Sequence, residues 1–178
     1  MLNYNFGSDV WSLGGGGADI WLTADQFQFA YQNFSGPDSL VARVTSGAII
    51  SDGTTNANAK AGIMFRDSLA ANAAFVALVH DQSQGVQFLY RDSAGATAGQ
   101  QAAALSLTPP VWFRLVRSND TFTAYYGNTI SPPTPASWML IGSHTTAVAS
   151  SAFVGVVACS HDNTKLPNTA RNRSMAGE

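Results

Sequence analysis

Short runs of β-branched and aromatic residues, separated by Gly, Pro, Asn, Asp and Ser, recur along the whole chain. Runs of this kind, bounded by turn-forming residues, predict β-strands. Strands that follow one another so closely are typical of an antiparallel sandwich or jelly roll rather than a parallel α/β fold, so the chain is predicted to be all-β. The predicted strands cover residues 18–22, 26–34, 39–46, 60–67, 73–81, 85–92, 111–117, 120–126, 137–143 and 152–160.

The choice of charged residues favours the same fold class. The chain has one Glu, Glu178, and two Lys, Lys60 and Lys165, among 178 residues. Glu and Lys favour helices and are depleted in strands, so their scarcity indicates a β protein. With 46% hydrophobic residues, the sequence predicts one β-sandwich domain over residues 1–178, with a core that needs no disulfide or metal.

Charge and hydropathy argue against several classes of partner. Charged residues make up 11% of the chain, the net charge is −2 and there is no basic cluster, which argues against nucleic acid. No apolar run is long enough for a membrane span, and the start MLNYNFGSD lacks the basic and apolar regions of a signal peptide. The polar, charge-poor composition resembles that of secreted bacterial modules. We therefore expect an extracellular or cell-surface origin, with any leader outside this sequence.

Four consecutive glycines, Gly14 to Gly17, precede the segment ADIW. A phosphate-binding loop needs Gly-x4-Gly-Lys-Ser/Thr between a strand and a helix, so that backbone amides and the lysine meet the phosphates. Neither the lysine nor a helix pattern follows here, and the dinucleotide fingerprint fails for the same reason. The glycines are predicted to form a flexible turn that leads into an aromatic strand.

The order of several blocks resembles a known module. The blocks are GGGGADIWLTADQFQFAYQNFSGPDSLVARVTS, AKAGIMFRDSL, GVQFLYRDSAG, VWFRLVRSNDTFTAYY and VGVVACSHDN. They are similar to those of bacterial concanavalin A-like (laminin-G-like jelly-roll) modules, and the resemblance covers about residues 4–165. It implies a unit of the kind appended to secreted glycoside hydrolases, usually treated as non-catalytic and carbohydrate-binding.

The two ends of the chain depart from that pattern. Such modules usually begin with a strand ahead of the segment matching LNYNF and end with a strand after one like HDNTKLPNTA, whereas this chain closes on RNRSMAGE. We therefore expect residues 166–178 to be an atypical tail, with both terminal strands missing. An open sheet edge is a template for pairing with another chain, so a homo-oligomer is predicted.

Glucanases share this sandwich, which leaves an enzyme as an alternative. They use two carboxylates flanking the scissile bond, typically a Glu pair, and the single terminal Glu178 excludes that arrangement. A small hydrolase, with or without Ca²⁺, remains open, built on His80 with Asp81 or His161 with Asp162, and with Ser83 or Ser160 as nucleophile. Because neighbours along a strand point to opposite faces, neither His-Asp pair makes the required hydrogen bond by itself.

Metal ligands are sparse. Three dispersed His and one cysteine make a weak zinc set, and Cys159, inside AFVGVVACS, is predicted to be a buried hydrophobic side chain. A structural Ca²⁺ fits better, because loop carboxylates and amide oxygens are its preferred ligands. The candidate ligands are Asp25, Asp38, Asp52 and Asn56, with plain turn-forming Asp as the alternative. No organic cofactor is expected.

A glycan site needs an aromatic platform and planar hydrogen-bonding groups, because sugars present apolar C–H patches and a rim of hydroxyls. Trp21, Gln28, Arg66 and Arg91 are the predicted ligand-binding residues, with Trp21 at the rim. A salt bridge between Arg66 and an Asp is an equally open interpretation. The candidate platforms are Trp21, Tyr31, Tyr90, Tyr125, Tyr126 and Trp138, and the candidate hydrogen-bonding partners are Gln28, Arg66, His80, Arg91 and His161.

Strand alternation assigns faces to these residues. In QFQFAYQ, the aromatic residues Phe27, Phe29 and Tyr31 share one face and are predicted to point inward. The glutamines, including Gln28, are then predicted to point outward, on the side where Arg66 and Arg91 would form a polar surface. Long polar connections such as IISDGTTNANAK and GNTISPPTPAS are predicted loops of the kind that often carry binding.

Three functions follow. The first is a non-catalytic, lectin-like module that binds a polysaccharide or glycoconjugate. The second is the small hydrolase on the same sandwich, and the third is a structural or self-associating module that uses its open edges. The first is the interpretation that the aromatic and polar pattern favours.

Overall fold

The computed structural model describes residues 2–5, 7, 10–47, 56–101, 105–163 and 168–175, the last range for its backbone alone. Within these residues the chain forms thirteen β-strands and one 3₁₀ turn, Pro135–Ser137. The strands are β1 Leu2–Asn5, β2 Val10–Gly15, β3 Gln28–Ser35, β4 Asp38–Ser46, β5 Lys60–Arg66, β6 Phe75–Asp81, β7 Gly85–Arg91, β8 Gly99–Gln100, β9 Val111–Ser118, β10 Thr121–Gly127, β11 Met139–Thr145, β12 Ser151–Cys159 and β13 Asn168–Met175.

The strands form two antiparallel sheets. The seven-stranded sheet has the order β1-β2-β13-β4-β9-β10-β11, and the six-stranded sheet has the order β3-β12-β5-β6-β7-β8. The predicted antiparallel β-sandwich is therefore confirmed. Among the residues that the structure describes, no helix is long and apolar enough to cross a membrane.

Nine of the predicted strands correspond to β3–β7 and β9–β12, each end lying within two residues of the prediction. The predicted strand at 18–22 is wrong. This segment makes a single bridge, Asp19 with Gln26, and otherwise crosses the outer face of the six-stranded sheet, where Ile20 is fully buried. The segment is apolar because Ile20 and Trp21 pack against the sheet, and this packing does not require the segment to pair as a strand.

The chain ends correct a second prediction. Both termini form strands: β1 and β2 pair at the amino end, and β13, which lies in the segment predicted to be an atypical tail, pairs with β2 on one side and β4 on the other. The predicted absence of a carboxyl-terminal strand is therefore wrong, whereas β1 is the LNYN segment itself and not the extra strand expected ahead of it. The outermost strands are β1, β11, β3 and β8, and self-association through such edges stays a prediction that light scattering can test.

Side chains from both sheets fill the space between them. Phe65 of β5 packs edge-on against Phe34 of β3, with ring centroids 5.3 Å apart, and lies 5.4 Å from Phe122 of β10. The contact between Phe65 and Phe122 joins the two sheets across the core. Other buried members are Ala42, Val44, Ile63, Val76, Leu78, Val86, Phe88, Phe113, Leu115 and Val154.

A second apolar cluster covers the outer face of the six-stranded sheet. Met64, Phe75, Val79 and Leu89 point away from the core and are buried beneath Ile20, Trp21 and Phe27. The six-stranded sheet is consequently apolar on both faces. Its outer face is a surface on which the chain's own connections pack.

This arrangement reverses the face assignment of β3. Ala30 and Phe34 pack into the core, whereas Phe27 and Phe29 lie on the outer face with the second cluster, so the prediction that the aromatic residues point inward is wrong. Period-two alternation separates two faces, but it cannot say which faces the core when both are covered.

Candidate functional site

The outer face of the seven-stranded sheet carries an unusual group of side chains. In β4, β9 and β10, alternate residues such as Ala42, Phe113 and Ala124 enter the core, so the residues between them point outward. Arg43 stands opposite Trp112, and Arg114 stands between Val41 and Tyr125. We call the set Arg43, Trp112, Arg114, Tyr125 and Trp138 the arginine–aromatic face.

Both arginines of this face lie over aromatic rings. The guanidinium carbon of Arg43 is 5.8 Å from the centre of the Trp112 ring, and that of Arg114 is 6.0 Å from Tyr125 and 5.9 Å from Trp138. Trp112 is itself fixed, because its indole Nε1 donates to the Thr129 carbonyl at 3.1 Å. A cation is attracted to the face of an aromatic ring, and this attraction orients each guanidinium group although no charged partner contacts it among the described residues.

The hydrogen-bonding capacity of the two arginines is incompletely used. Arg43 Nε and Arg114 Nε are buried and have no hydrogen-bond partner among the described residues. A buried donor without a partner costs about 1–3 kcal/mol and is uncommon in folded proteins. The two partly buried guanidinium groups are therefore candidates for binding an acceptor group of a ligand.

A cleft of about 360 Å³ opens beside Arg43. One wall is formed by Ser106, Leu107 and Thr108 with the cis-linked Pro109 and Pro110, and the other by residues 128–130. The second wall belongs to GNTISPPTPAS, so the predicted loop character of that segment is confirmed. The cleft has both polar and apolar lining side chains.

Hydroxyl groups extend the surface beyond Arg114. Thr123 Oγ1 and Ser143 Oγ are 2.9 Å apart, and Thr121 Oγ1 and Thr145 Oγ1 are 3.3 Å apart in the next row. None of the outward positions on β4, β9, β10 and β11 is an Asp or Glu. The face therefore combines cations, rings and hydroxyl groups without a carboxylate.

Arg66 and Arg91, predicted to bind ligand, instead share one carboxylate. Asp25 accepts from Arg66 Nη1 at 2.6 Å, and from Arg91 at 2.6 Å and 2.7 Å. Burial lowers the pKa of Arg66, and the hydrogen bond and charge of Asp25 oppose that shift. Of the two interpretations of Arg66, ligand binding and a salt bridge with an Asp, the structure therefore shows the salt bridge.

The same two arginines connect three loops. Arg91 donates to the carbonyl groups of Leu22 and Ala96, and Arg66 donates to those of Ala70 and Ala71. Arg66 is 2% exposed and Arg91 is 0% exposed. Their assignment to ligand binding is therefore corrected: these side chains hold the loops that cover the six-stranded sheet, and the protein itself occupies their donors.

Trp21 and Gln28 lie in different places. Trp21 is partly buried on the second cluster, and its carbonyl accepts from Arg91 Nη2 at 3.1 Å. Gln28 is exposed on β3 opposite Ala158, a core residue, and so lies on the other side of the sheet from Arg66. The structure brings Trp21 to the two arginines but leaves Gln28 apart, and whether either residue contacts a glycan stays a prediction.

The calcium candidates are not brought together. Both carboxylate oxygens of Asp25 are bonded to arginines, so its assignment as a Ca²⁺ ligand is corrected. Asp38 caps the start of β4 by accepting from the Ser39 amide, Asn56 Oδ1 accepts from the Asn58 amide, and Asp52 lies outside the described residues. Within the described ranges, no group of three His, Cys, Asp or Glu side chains is placed to hold a metal.

The side chains of His80 and Asp81 point to opposite faces of β6, as those of neighbouring residues along a strand do. His80 is buried on the core side of β6, opposite Ala61 and Val86, and burial lowers its pKa although the charge of Asp81 raises it in part. Asp81 lies on the other face, 3.3 Å from Lys60 Nζ, where it also accepts from the Ser83 hydroxyl. Ser83 is therefore not directed at a histidine.

In the second candidate set, His161 and Ser160 also contact other groups of the protein. His161 Nδ1 lies 3.4 Å from Asp19 Oδ2, and Ser160 Oγ donates to the Asp162 carbonyl at 2.7 Å. This arrangement gives Ser160 a structural partner in a turn rather than a base. Cys159 is fully buried as predicted, and burial raises the pKa of its thiol to about 11.

No protein-family model matches the sequence, and no curated protein matches it. Solved structures do resemble the chain in fold. A Saccharomyces cerevisiae protein described as functionally unknown aligns with a TM-score of 0.72 and 11% identity, covering 100% of this chain and 92% of the other. A carbohydrate binding module, CBM66 from Bacillus subtilis, aligns with a TM-score of 0.55 and 14% identity over 95% of this chain and 93% of the other.

The two antiparallel sheets form a β-sandwich of the jelly-roll type. A xylan β-1,4-xylosidase from Bacillus halodurans C-125 contains a similar unit, with a TM-score of 0.62 and 14% identity over 93% of this chain. This chain spans only 33% of that enzyme. The jelly roll is thus a fold found in a carbohydrate-binding protein and within a glycoside hydrolase, and identities this low show the fold alone.

Arg43, Trp112 and Arg114 are not among the residues that the sequence predicts to bind a ligand. Tyr125 and Trp138 were among the candidate platforms, but nothing in the local sequence brings them to the arginines. The signal that was present is alternation: Arg43 and Arg114 each stand between two apolar residues, in ARV and FRL. Only the strand register places them side by side.

Proposed function

We propose that this protein is a non-catalytic carbohydrate-binding module whose ligand, a polysaccharide or glycoconjugate, binds on the arginine–aromatic face. The observation that carries the proposal is the pair of arginines that lie over aromatic rings and have unpartnered Nε donors, one of which, Arg43, lines a cleft. The occurrence of this jelly roll in a carbohydrate binding module supports it.

The chemistry of the face suits a sugar. Pyranose rings offer apolar C–H patches to aromatic side chains and hydroxyl groups to planar donors. Tyr125 and Trp138 are partly buried rings that keep some accessible surface, and Leu140 beside Tyr125 is 63% exposed. Rings, guanidinium donors and neighbouring hydroxyl groups then lie on one surface, which is longer than a single sugar.

The cleft gives this surface a side wall. Asn128 and Thr129 are exposed polar residues on the loop that also fixes Trp112. A chain that runs across β9 and β10 would place a terminal or branching sugar there. We propose weak, extended recognition of the kind a flat surface allows, and an extracellular setting consistent with a charge content of 11%.

The described residues do not assemble the His, Asp and Ser sets of the hydrolase alternative. His80 and Asp81 lie on opposite faces of β6, and Ser83 and Ser160 are bonded to other groups. The self-association alternative is independent of the face and stays open.

A panel of soluble polysaccharides in native affinity electrophoresis tests the proposal, with Trp138→Ala as the site variant. Its matched control is Tyr31→Ala, which removes a partly exposed ring from the other sheet, where Tyr31 packs edge-on against Phe153 at 5.1 Å. Trp21→Ala is the third variant, because the sequence predicts Trp21 as a ligand contact. Each variant is first checked for an unchanged fold by circular dichroism.

We expect Trp138→Ala to weaken retardation about tenfold, because it removes both ring contact and support for Arg114. Tyr31→Ala should leave retardation unchanged. Loss in Trp21→Ala with normal binding in Trp138→Ala would move the site to the six-stranded sheet. Absence of retardation by every polysaccharide would overturn the proposed function.

A further inference from the structure

The charge of the arginine–aromatic face is not balanced by the protein. Arg43 and Arg114 occupy adjacent rows of the sheet, and diagonal neighbours of this kind lie about 7–8 Å apart at the backbone. The outward positions of β4, β9, β10 and β11 hold no carboxylate. A local positive field therefore lies on a chain whose net charge is −2.

Three other buried cations have anionic partners, whereas Arg117, which forms no ion pair among the described residues, donates to the carbonyl groups of Asn119 and Val148. Arg66 and Arg91 share Asp25, and Lys60 lies 2.7 Å from Asp19 and 3.3 Å from Asp81. Arg43 and Arg114 differ, because each has an aromatic ring where those cations have a carboxylate. Among the described residues, neither forms an ion pair.

A neutral sugar hydroxyl satisfies a guanidinium donor but leaves its charge uncompensated. Covering Arg43 or Arg114 with such a ligand removes water from a cation and returns only a neutral hydrogen bond, which is the weaker kind. A carboxylate or sulfate oxygen supplies both charge and geometry, since the guanidinium fork matches a planar oxyanion. The unpartnered Nε atoms show that the described residues leave both guanidinium groups incompletely hydrogen-bonded.

We propose that the ligand of the arginine–aromatic face is an acidic polysaccharide, one whose sugars carry oxyanion groups that bind Arg43 and Arg114. This inference rests on the proposed function, since it specifies the class of glycan that the same face binds. The sugar rings lie on Tyr125 and Trp138, and the anionic groups lie against the two guanidinium groups. Carboxylate and sulfate share this chemistry, and the experiment separates them.

The test compares ligands that differ in charge alone. Binding of the intact protein is measured by isothermal titration calorimetry with polygalacturonate, with its methyl-esterified form, with dextran sulfate and with dextran, at two salt concentrations. We expect the charged member of at least one pair to bind tenfold or more tightly than its neutral counterpart, with binding weakened by added salt. Binding to polygalacturonate alone would indicate a carboxylate ligand, and binding to dextran sulfate alone a sulfate ligand.

Variants connect that preference to the two residues. Arg114→Lys keeps the charge but loses the bidentate fork, whereas Arg114→Gln and Arg43→Gln remove the charge. We expect each glutamine variant, which keeps one of the two arginines, to show a reduced preference for the charged member, with the lysine variant between it and the unmodified protein. Should a substitution disturb folding, as judged by circular dichroism, the comparison of ligand pairs on the unmodified protein still decides the question.

The outcomes distinguish the two proposals. Equal binding of charged and neutral members by the unmodified protein overturns the acidic-ligand inference and leaves the carbohydrate-binding proposal in place. A charge preference that persists unchanged in both glutamine variants overturns the assignment to Arg43 and Arg114. Failure of all four probes and of the wider neutral panel to bind overturns the proposed function itself, and the inference with it.

Discussion

Arg91 binds Asp25 through two hydrogen bonds, from Nη2 to Oδ1 at 2.6 Å and from Nη1 to Oδ2 at 2.7 Å, with both side chains at 0% exposure. The residues are separated by 66 positions in the sequence. Arg66 joins the same carboxylate from a neighbouring strand. The three side chains connect the loops over the six-stranded sheet to its strands.

Replacing Asp25 should therefore destabilise the protein severely. Asp25→Asn leaves two buried guanidinium groups without an anion, and removal of one partner from such a set costs about 3–5 kcal/mol. Urea unfolding followed by tryptophan fluorescence measures the change in the free energy of unfolding. The control is Asp38→Asn, at an exposed carboxylate that caps its neighbour's amide, which should change stability far less. Equal effects of the two substitutions would contradict a structural role for the Asp25 group.

His80 should make the protein less stable as the solution becomes acidic. Its pKa is lowered chiefly by burial, so the folded state takes up a proton less readily than the unfolded state. The stability due to neutral His80 is complete above the unfolded pKa of about 6.5 and is lost as pH falls through the lower folded pKa. Thermal unfolding at pH 5 to 8 should show a steeper acid decline for the unmodified protein than for His80→Gln. Parallel curves would show that another group is responsible.

Cys159 should be unreactive in the native state. Its thiol is fully buried, donates towards the Gly17 carbonyl at 3.3 Å, and has a pKa raised to about 11. Since the thiolate is the nucleophile, labelling by a disulfide reagent at pH 8 should require unfolding. The stability due to burial of the neutral thiol is present below about pH 9 and declines as pH approaches 11. Rapid labelling without denaturant would contradict this placement.

Gly155 should tolerate no side chain. A Cβ at this position in β12 would overlap the Ala30 carbonyl oxygen and approach the Tyr31 Cα at 2.8 Å, and both belong to the backbone of β3. Gly155→Ala should lower the unfolding midpoint, because strands cannot separate without losing ladder hydrogen bonds. Gly142→Ala is the matched control, since its Cβ would meet only the flexible Gln101 side chain at 3.3 Å. Equal midpoints in the two variants would argue against close packing of β3 on β12.

Much of the fold was predictable because its strands are local features. Runs such as KAGIMFRD and VWFRLVR carry β-branched and aromatic residues between turn formers, and β5 and β9 appear where these runs lie. The segment 18–22 was wrongly predicted to be a strand, because its apolar residues pack against a sheet without pairing with one of its strands. The strand β13, NTARNRSM, has no apolar alternation, and its place between β2 and β4 depends on partners far along the chain.

The sequence by itself determined the class of this protein: short turn-bounded apolar runs, few helix-forming charges and enough hydrophobic residues for a two-sheet sandwich. The tertiary structure decided which face of each strand is inside and which charges meet. Alternation separates the two faces of β3 but cannot name the inner one when loops cover the outer face. Asp25, Arg66 and Arg91 meet, and Arg43 and Arg114 become neighbours, through strand register between distant segments, which local sequence does not encode.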